Sequence, residues 1–136
     1  MEEEGPFDGV IGFSQGAAVA ARLVLLHKAR DPFGPQPFKV AVFLCASSLF
    51  YANNRKEYEE KIMDVSKTEI QIPTVHVIGT KDEHRPFSLD LANLCDKRVC
   101  RVVECLMGHE IPRDLAVTEA SRAAIEWAVT LSHIGA

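Results

Sequence analysis

The stretch Gly12-Phe13-Ser14-Gln15-Gly16 constrains this chain more than any other, because of what stands on either side of it. Before it, Phe7-Asp8-Gly9-Val10-Ile11 ends in a short apolar, β-branched run, the pattern of a buried strand. After it, Ala17-Ala18-Val19-Ala20-Ala21-Arg22-Leu23-Val24-Leu25-Leu26 is rich in strong helix formers. A G-x-S-x-G held between a strand and a helix is a nucleophile elbow. The turn is expected to leave no room for side chains at Gly12 and Gly16, which explains glycine at both. The serine is forced into a strained backbone conformation that lifts its hydroxyl above the sheet. The helix beginning directly beyond it offers N–H groups and a partial positive charge to a developing oxyanion.

The remainder of the chain continues the strand-then-helix alternation. The elbow unit reads as a strand near 8–13 and a helix near 16–29, closed by Asp31-Pro32-Phe33-Gly34-Pro35-Gln36-Pro37. Phe38 to Cys45 is nearly continuous in apolar residues, as expected of a parallel strand covered on both faces. A polar helix is expected from Arg55 to about Asp64. Ile72 to Gly79 reads as the third strand, with Pro73 at its start. A helix over Phe87–Lys97, a strand over Val99–Leu106 and a final helix over Leu115–Ser132 complete the series. The final helix is expected to bury Ala116, Ala120, Ala123, Ala124, Trp127 and Leu131. Strands alternating with helices imply an α/β fold, a mostly parallel sheet flanked by helices and joined by right-handed crossovers.

Composition narrows the function classes. With 47% hydrophobic and 25% charged residues, the 136-residue chain has an ordinary globular composition and reads as one domain over residues 1–136. A net charge of −4 and the absence of a basic run argue against nucleic acid or an anionic membrane surface as partner. No secretory signal and no apolar run of membrane-spanning length are visible, so a cytoplasmic setting is expected. In that setting Cys45, Cys95, Cys100 and Cys105 read as reduced, buried thiols. The even spacing of the last three matches no common zinc pattern. Cys100 and Cys105 should face opposite sides of one strand.

In open parallel α/β sheets, ligands and catalytic groups gather beyond the carboxyl ends of the strands. Taken in order, those ends carry Ser14, then Ser47-Ser48, then Gly79-Thr80-Lys81-Asp82, then Met107-Gly108-His109. A nucleophile, an acid and a histidine thus follow in the order Ser, Asp, His, the order used by α/β-hydrolases. His109 would take the Ser14 proton and return it to the leaving group. Asp82 would hold the far ring nitrogen and stabilise the imidazolium, and the Gln15 N–H would serve as an oxyanion donor. Phe13, Leu49 and Phe50, with Tyr51, are candidates to line an acyl pocket, although core packing explains them equally well. The remaining histidines have plainer readings: His84 faces solvent, His27 and His133 sit near helix C-termini, and His76 packs inside a strand. Glu83 and Glu110 each adjoin a better-placed acid or base.

These residues resemble a known family. Phe7-Asp8-Gly9-Val10-Ile11-Gly12-Phe13-Ser14-Gln15-Gly16-Ala17 is similar to the elbow of the family of serine hydrolases (FSH), which comprises esterases and thioesterases of fungi and other eukaryotes. The resemblance continues through Phe38–Val42, Ile72–Gly79 with Asp82, and Gly108-His109-Glu110-Ile111-Pro112. It implies an α/β-hydrolase fold, Ser14, Asp82 and His109 as the triad, and a carboxylic ester or thioester as substrate. Some similar proteins of fungal secondary metabolism release a polyketide chain from its synthase. No metal and no organic cofactor are implied.

Three departures from the family pattern carry expectations of their own. Met107 stands where a second glycine is usual, which predicts a crowded loop. Arg85 stands where a small apolar residue is usual, and a guanidinium paired with Asp82 would compete with His109. The strands and oxyanion loop that precede the elbow in the family are absent from this sequence, so the elbow strand should lie at an open sheet edge. That edge is expected to support self-association, and the alternative to an active hydrolase is a shortened, non-catalytic remnant that acts by binding protein. A flavodoxin-like phosphate binder is a weaker alternative, because it leaves Asp82 and His109 unexplained.

Overall fold

The computed structural model describes residues 6–49 and 69–134. Its elements are β1 (Gly9–Phe13), α1 (Gln15–Arg30), β2 (Val40–Leu44), β3 (Thr74–Gly79), α2 (Arg85–Asn93), β4 (Cys100–Cys105) and α3 (Leu115–Ile134). The helix expected over Arg55–Asp64 falls outside the described residues. The four strands form one all-parallel sheet in the order β1-β2-β3-β4. The period of two along each strand then assigns side chains to faces. Ala41 and Phe43 of β2 point to the side covered by α1 and α2, with Ala17, Ala21, Val24, Leu25 and Leu91. Val40 and Val42, with Val75 and Val77 of β3, point to the side covered by α3 through Ala124 and Ala128. Every residue of β3 is buried, as its apolar run requires of a central strand.

Element boundaries follow local chemistry. β3 begins after Pro73, whose carbonyl accepts the Ala41 N–H at 3.1 Å, since proline cannot donate to the ladder. α2 starts at Arg85, earlier than the sequence suggests, because Pro86 suits the first turn of a helix. It also ends earlier, at Asn93. A 3-10 turn at Lys97–Val99 then leads into β4, and Asp96 caps it by accepting the Arg98 N–H at 3.0 Å.

α3 departs from its expected stripe. Ala116, Ala120 and Ala123 are exposed, whereas Ser121, Ala124, Ala128 and Ser132 are buried. Alanine is common all round this helix and marks no face. The small residues at spacings of three and four allow the helix to approach the sheet closely. Trp127 is half-buried, with the Arg101 guanidinium 4.0 Å above its ring.

β1 is an edge strand among the described residues, and Ile11 on it is 66% exposed. Cys100 packs with the α1/α2 side and Cys105 with the α3 side, the opposition their spacing predicts. All four cysteines are free thiols. No helix among the described residues is long and apolar enough to cross a membrane.

Candidate active site

Ser14 is the turn between β1 and α1, with φ 55° and ψ −119°. Such a backbone is costly for a residue with a Cβ and persists only when its surroundings enforce it. They do so from both sides: the Ser14 N–H donates to the Leu44 carbonyl at 2.9 Å, and its carbonyl accepts from Ser47 and Ala18 at 3.2 Å each. Gly12 makes the turn passable, because a Cβ there would lie 2.6 Å from Ala17 Cα and 2.7 Å from the Gly16 carbonyl oxygen. The equal requirement expected at Gly16 is not found. A Cβ on Gly16 meets nothing within 4 Å, since this residue is already in the open first turn of α1.

The elbow brings the serine against the histidine loop. Ser14 Oγ lies 2.7 Å from His109 Nε2, and His109 Nδ1 lies 3.0 Å from both carboxylate oxygens of Asp82. The Asp82 side chain is fully buried, while that of His109 is 30% exposed. Asp82 follows β3 in a turn and also accepts the His84 N–H at 2.8 Å. Burial, the largest influence on this carboxyl, would raise its pKa. Hydrogen bonds from His109, the His84 amide and the Cys45 thiol outweigh it and hold the group below the ordinary carboxylate value. Arg85 does not compete for Asp82, because its guanidinium pairs with Glu104 at 2.9 Å. Met107 does not fill the loop either. Its side chain is buried on the α3 side of the sheet, and its carbonyl accepts the Lys81 N–H at 3.0 Å.

Three neighbours of this constellation were not legible as such in the sequence. Ser47 Oγ lies 3.1 Å from Ser14 Oγ, and the only signal was its place just beyond the end of β2. Cys45 is buried with φ 47°, and its thiol reaches the Glu110 carbonyl at 3.5 Å and the Gly108 carbonyl at 4.0 Å. It therefore holds the chain on both sides of His109. Burial pushes that thiol up to about 11, with Asp82 adding to the rise, so it stays a neutral donor. His84, expected to face solvent, instead sets its ring 4.6 Å from that of His109, and its Nδ1 is buried without a hydrogen-bond partner.

The other expected residues fall as follows. Gln15 is the first residue of α1, adjacent to Ser14. The Phe13 ring lies 5.3 Å from the His109 ring and packs on the α3 side of the sheet. Leu49 packs against the core on the α1/α2 side. Phe50 and Tyr51 lie outside the described residues. An apolar cleft of about 350 Å³ opens between the β1 edge and α3, lined by Ile11, Leu44, Ile111, Pro112 and Ile125 among others. His27 Nε2 sits 2.6 Å from the Pro35 carbonyl, consistent with its structural reading near the end of α1.

Comparison with known proteins identifies relatives of the whole described fold. The family described as Serine hydrolase (FSH1) matches residues 1–121. Esterase FPY3 of Fusarium mangiferae is 37% identical over 139 residues, covering 99% of this chain and 62% of the esterase. Hydrolase phiM of a fungal species (strain ATCC 74256) is 30% identical, covering 93% of this chain and 60% of the hydrolase. The chain thus spans about three-fifths of the length of these curated relatives. In solved structures, the monoacylglycerol lipase of Paleococcus ferrophilus matches with a TM-score of 0.62 at 16% identity, over 95% of this chain and 70% of the lipase. At that identity the likeness is one of fold, the α/β-hydrolase fold. The match across the elbow, the central strands and the histidine loop shows that this chain belongs to the serine hydrolase (FSH1) family.

Proposed function

We propose that this chain hydrolyses a carboxylic ester or thioester through an acyl-enzyme on Ser14. The observation that carries the reading is the unbroken contact from Ser14 Oγ through His109 to Asp82, at 2.7 and 3.0 Å. A serine hydroxyl becomes a useful nucleophile only when a base within hydrogen-bond reach takes its proton. His109 Nε2 is that base. As Oγ bonds to the acyl carbon, the proton passes to the ring, and the ring returns it to the departing alcohol or thiol. Water then repeats the sequence to release the acid. Asp82 keeps the Nδ1 hydrogen in place and stabilises the imidazolium between the two steps. The Gln15 amide, at the start of α1, is the first oxyanion donor, aided by the positive end of the helix. The finer substrate reading is an acyl thioester of fungal secondary metabolism, with Phe13, Leu49 and Phe50 as candidates to contact the acyl group. Its support is the FSH resemblance and the fungal relatives named as esterase or hydrolase.

The test is covalent labelling by a fluorophosphonate probe, which reacts only with an activated serine. Wild type is expected to label, Ser14→Ala not to label, and His109→Ala to label at least about 10²-fold more slowly. A folded wild type that takes up no probe overturns the reading and favours the non-catalytic remnant.

A further inference from the structure

A second polar cluster lies toward the amino-terminal end of β3, away from the triad. His76 is 1% exposed inside the strand, its Nε2 3.4 Å from Cys95 Sγ and 3.1 Å from Thr74 Oγ1. Cys100 begins β4, where the parallel register sets it beside Thr74, and Cys95 lies just beyond α2. The donor atoms of His76, Cys95 and Cys100 all lie within 4.8 Å of one another. The Thr74 hydroxyl is hydrogen-bonded to the imidazole at 3.1 Å, and Thr74 stands beside Cys100 in the β3–β4 register. Four polar side chains thus converge on one point in a region otherwise made of Phe43, Leu91, Ile70 and similar apolar groups.

We propose that His76, Cys95 and Cys100 form a binding site for a thiophilic divalent cation of the zinc class, with Thr74 at its fourth corner. The donor chemistry selects the ion: two thiolates and an imidazole are the ligands that zinc takes and that magnesium or calcium avoid. The spacing suits it too. An ion bonded at about 2.3 Å to sulfur and about 2.0 Å to nitrogen holds tetrahedral donors roughly 3.5–3.8 Å apart. The Cys95–His76 contact is already near that value, and rotation of the Cys100 side chain draws in the remainder. Charge balance is the third argument. On binding, each thiol releases its proton to solvent, and the two thiolate charges cancel the two of the cation. The filled site is therefore neutral, as burial demands. Cys100 is half-buried and supplies the way in.

Spacing among the cysteines alone points away from zinc because it omits His76, which joins Cys95 and Cys100 only through the β3–β4 register. The cluster of Cys45, Asp82 and His109 has a similar donor spacing, but it is the triad itself.

The reduced chain is titrated with Co²⁺, which replaces zinc and reports thiolate ligands through an intense near-ultraviolet charge-transfer band. The expected result is saturation at one ion per chain, a tetrahedral visible spectrum, and displacement of the ion by Zn²⁺. Cys100→Ser should weaken binding at least about 10-fold. Cys105→Ser, on the opposite face of the sheet, should leave it unchanged. A folded, reduced wild type without the band overturns the proposal, as does a Cys100→Ser variant that binds Co²⁺ as tightly as wild type. Should that variant not fold, wild type decides the matter. Saturating Zn²⁺ should slow iodoacetamide modification of Cys100 at least about 10-fold relative to chelator, and equal rates overturn the proposal.

Discussion

β3 and β4 serve two histidine clusters, one near each end, and the two are held by different means. Beyond the carboxyl ends, Asp82 and His109 sit in loops, and Ser14 and Cys45 occupy left-handed backbone that nearby hydrogen bonds enforce. Within the sheet, His76, Thr74 and Cys100 are fixed by the ladder itself and need no strained residue. The first cluster is partly open, with the His109 side chain 30% exposed, as a group that must exchange protons with a substrate requires. The second is nearly closed, as suits a bound ion rather than a turning-over substrate. Loop geometry yields access at the expense of strain, and ladder geometry yields rigidity without access.

The sharpest way to separate the two clusters is a substitution in each, read by fluorophosphonate labelling. Asp82→Asn removes the carboxylate that fixes the His109 tautomer and is expected to slow labelling about 10²- to 10⁴-fold. Cys100→Ser is expected to leave the labelling rate within about twofold, since it lies outside the elbow network. Comparable losses from both would break the claim that the two ends act independently.

The strain argument is tested by the elbow glycines through urea unfolding. Gly12→Ala drives a Cβ into the Ala17 backbone and is expected to cost about 3 kcal/mol. Gly16→Ala meets open space and should be neutral or stabilising by about 0.5 kcal/mol. Equal costs at both would mean that the turn is shaped by something other than this contact.

A smaller effect follows from acid. Because the Asp82 carboxyl lies below its ordinary value in the fold, the unfolded chain takes up that proton first as pH falls. Its stabilising contribution is full above the unfolded carboxylate value of about 3.9 and is lost as pH falls through the lower folded value. The stability gap between wild type and Asp82→Asn should therefore shrink on going from about pH 7 to about pH 3. A gap that widens on acidification contradicts the direction assigned to Asp82.

Much of the fold was legible because each element carries its own local signal. The apolar runs of β2 and β3, the helix formers after Ser14 and the proline-rich break at residues 31–37 each needed only neighbouring residues to interpret. The phase of α3 was not legible, because alanines on several sides of it give no preferred face until the sheet selects Ser121, Ala124, Ala128 and Ser132. The triad letters were legible from strand ends and chain order. Ser47 had only its place beyond the end of β2 as a signal, and for Cys45 and His84 nothing nearby in sequence says that they meet Ser14 or His109.

The sequence alone determined the alternation of strand and helix, the elbow, and the order of serine, acid and histidine, because these rest on local conformational preference and spacing. Tertiary structure alone decided that Arg85 turns to Glu104 and leaves Asp82 to His109. It also decided that Cys45 clasps the histidine loop and that His76 meets two cysteines from beyond α2 and the start of β4. Each of these depends on groups distant in the chain arriving within a few ångströms, and only strand register and layer packing set such distances.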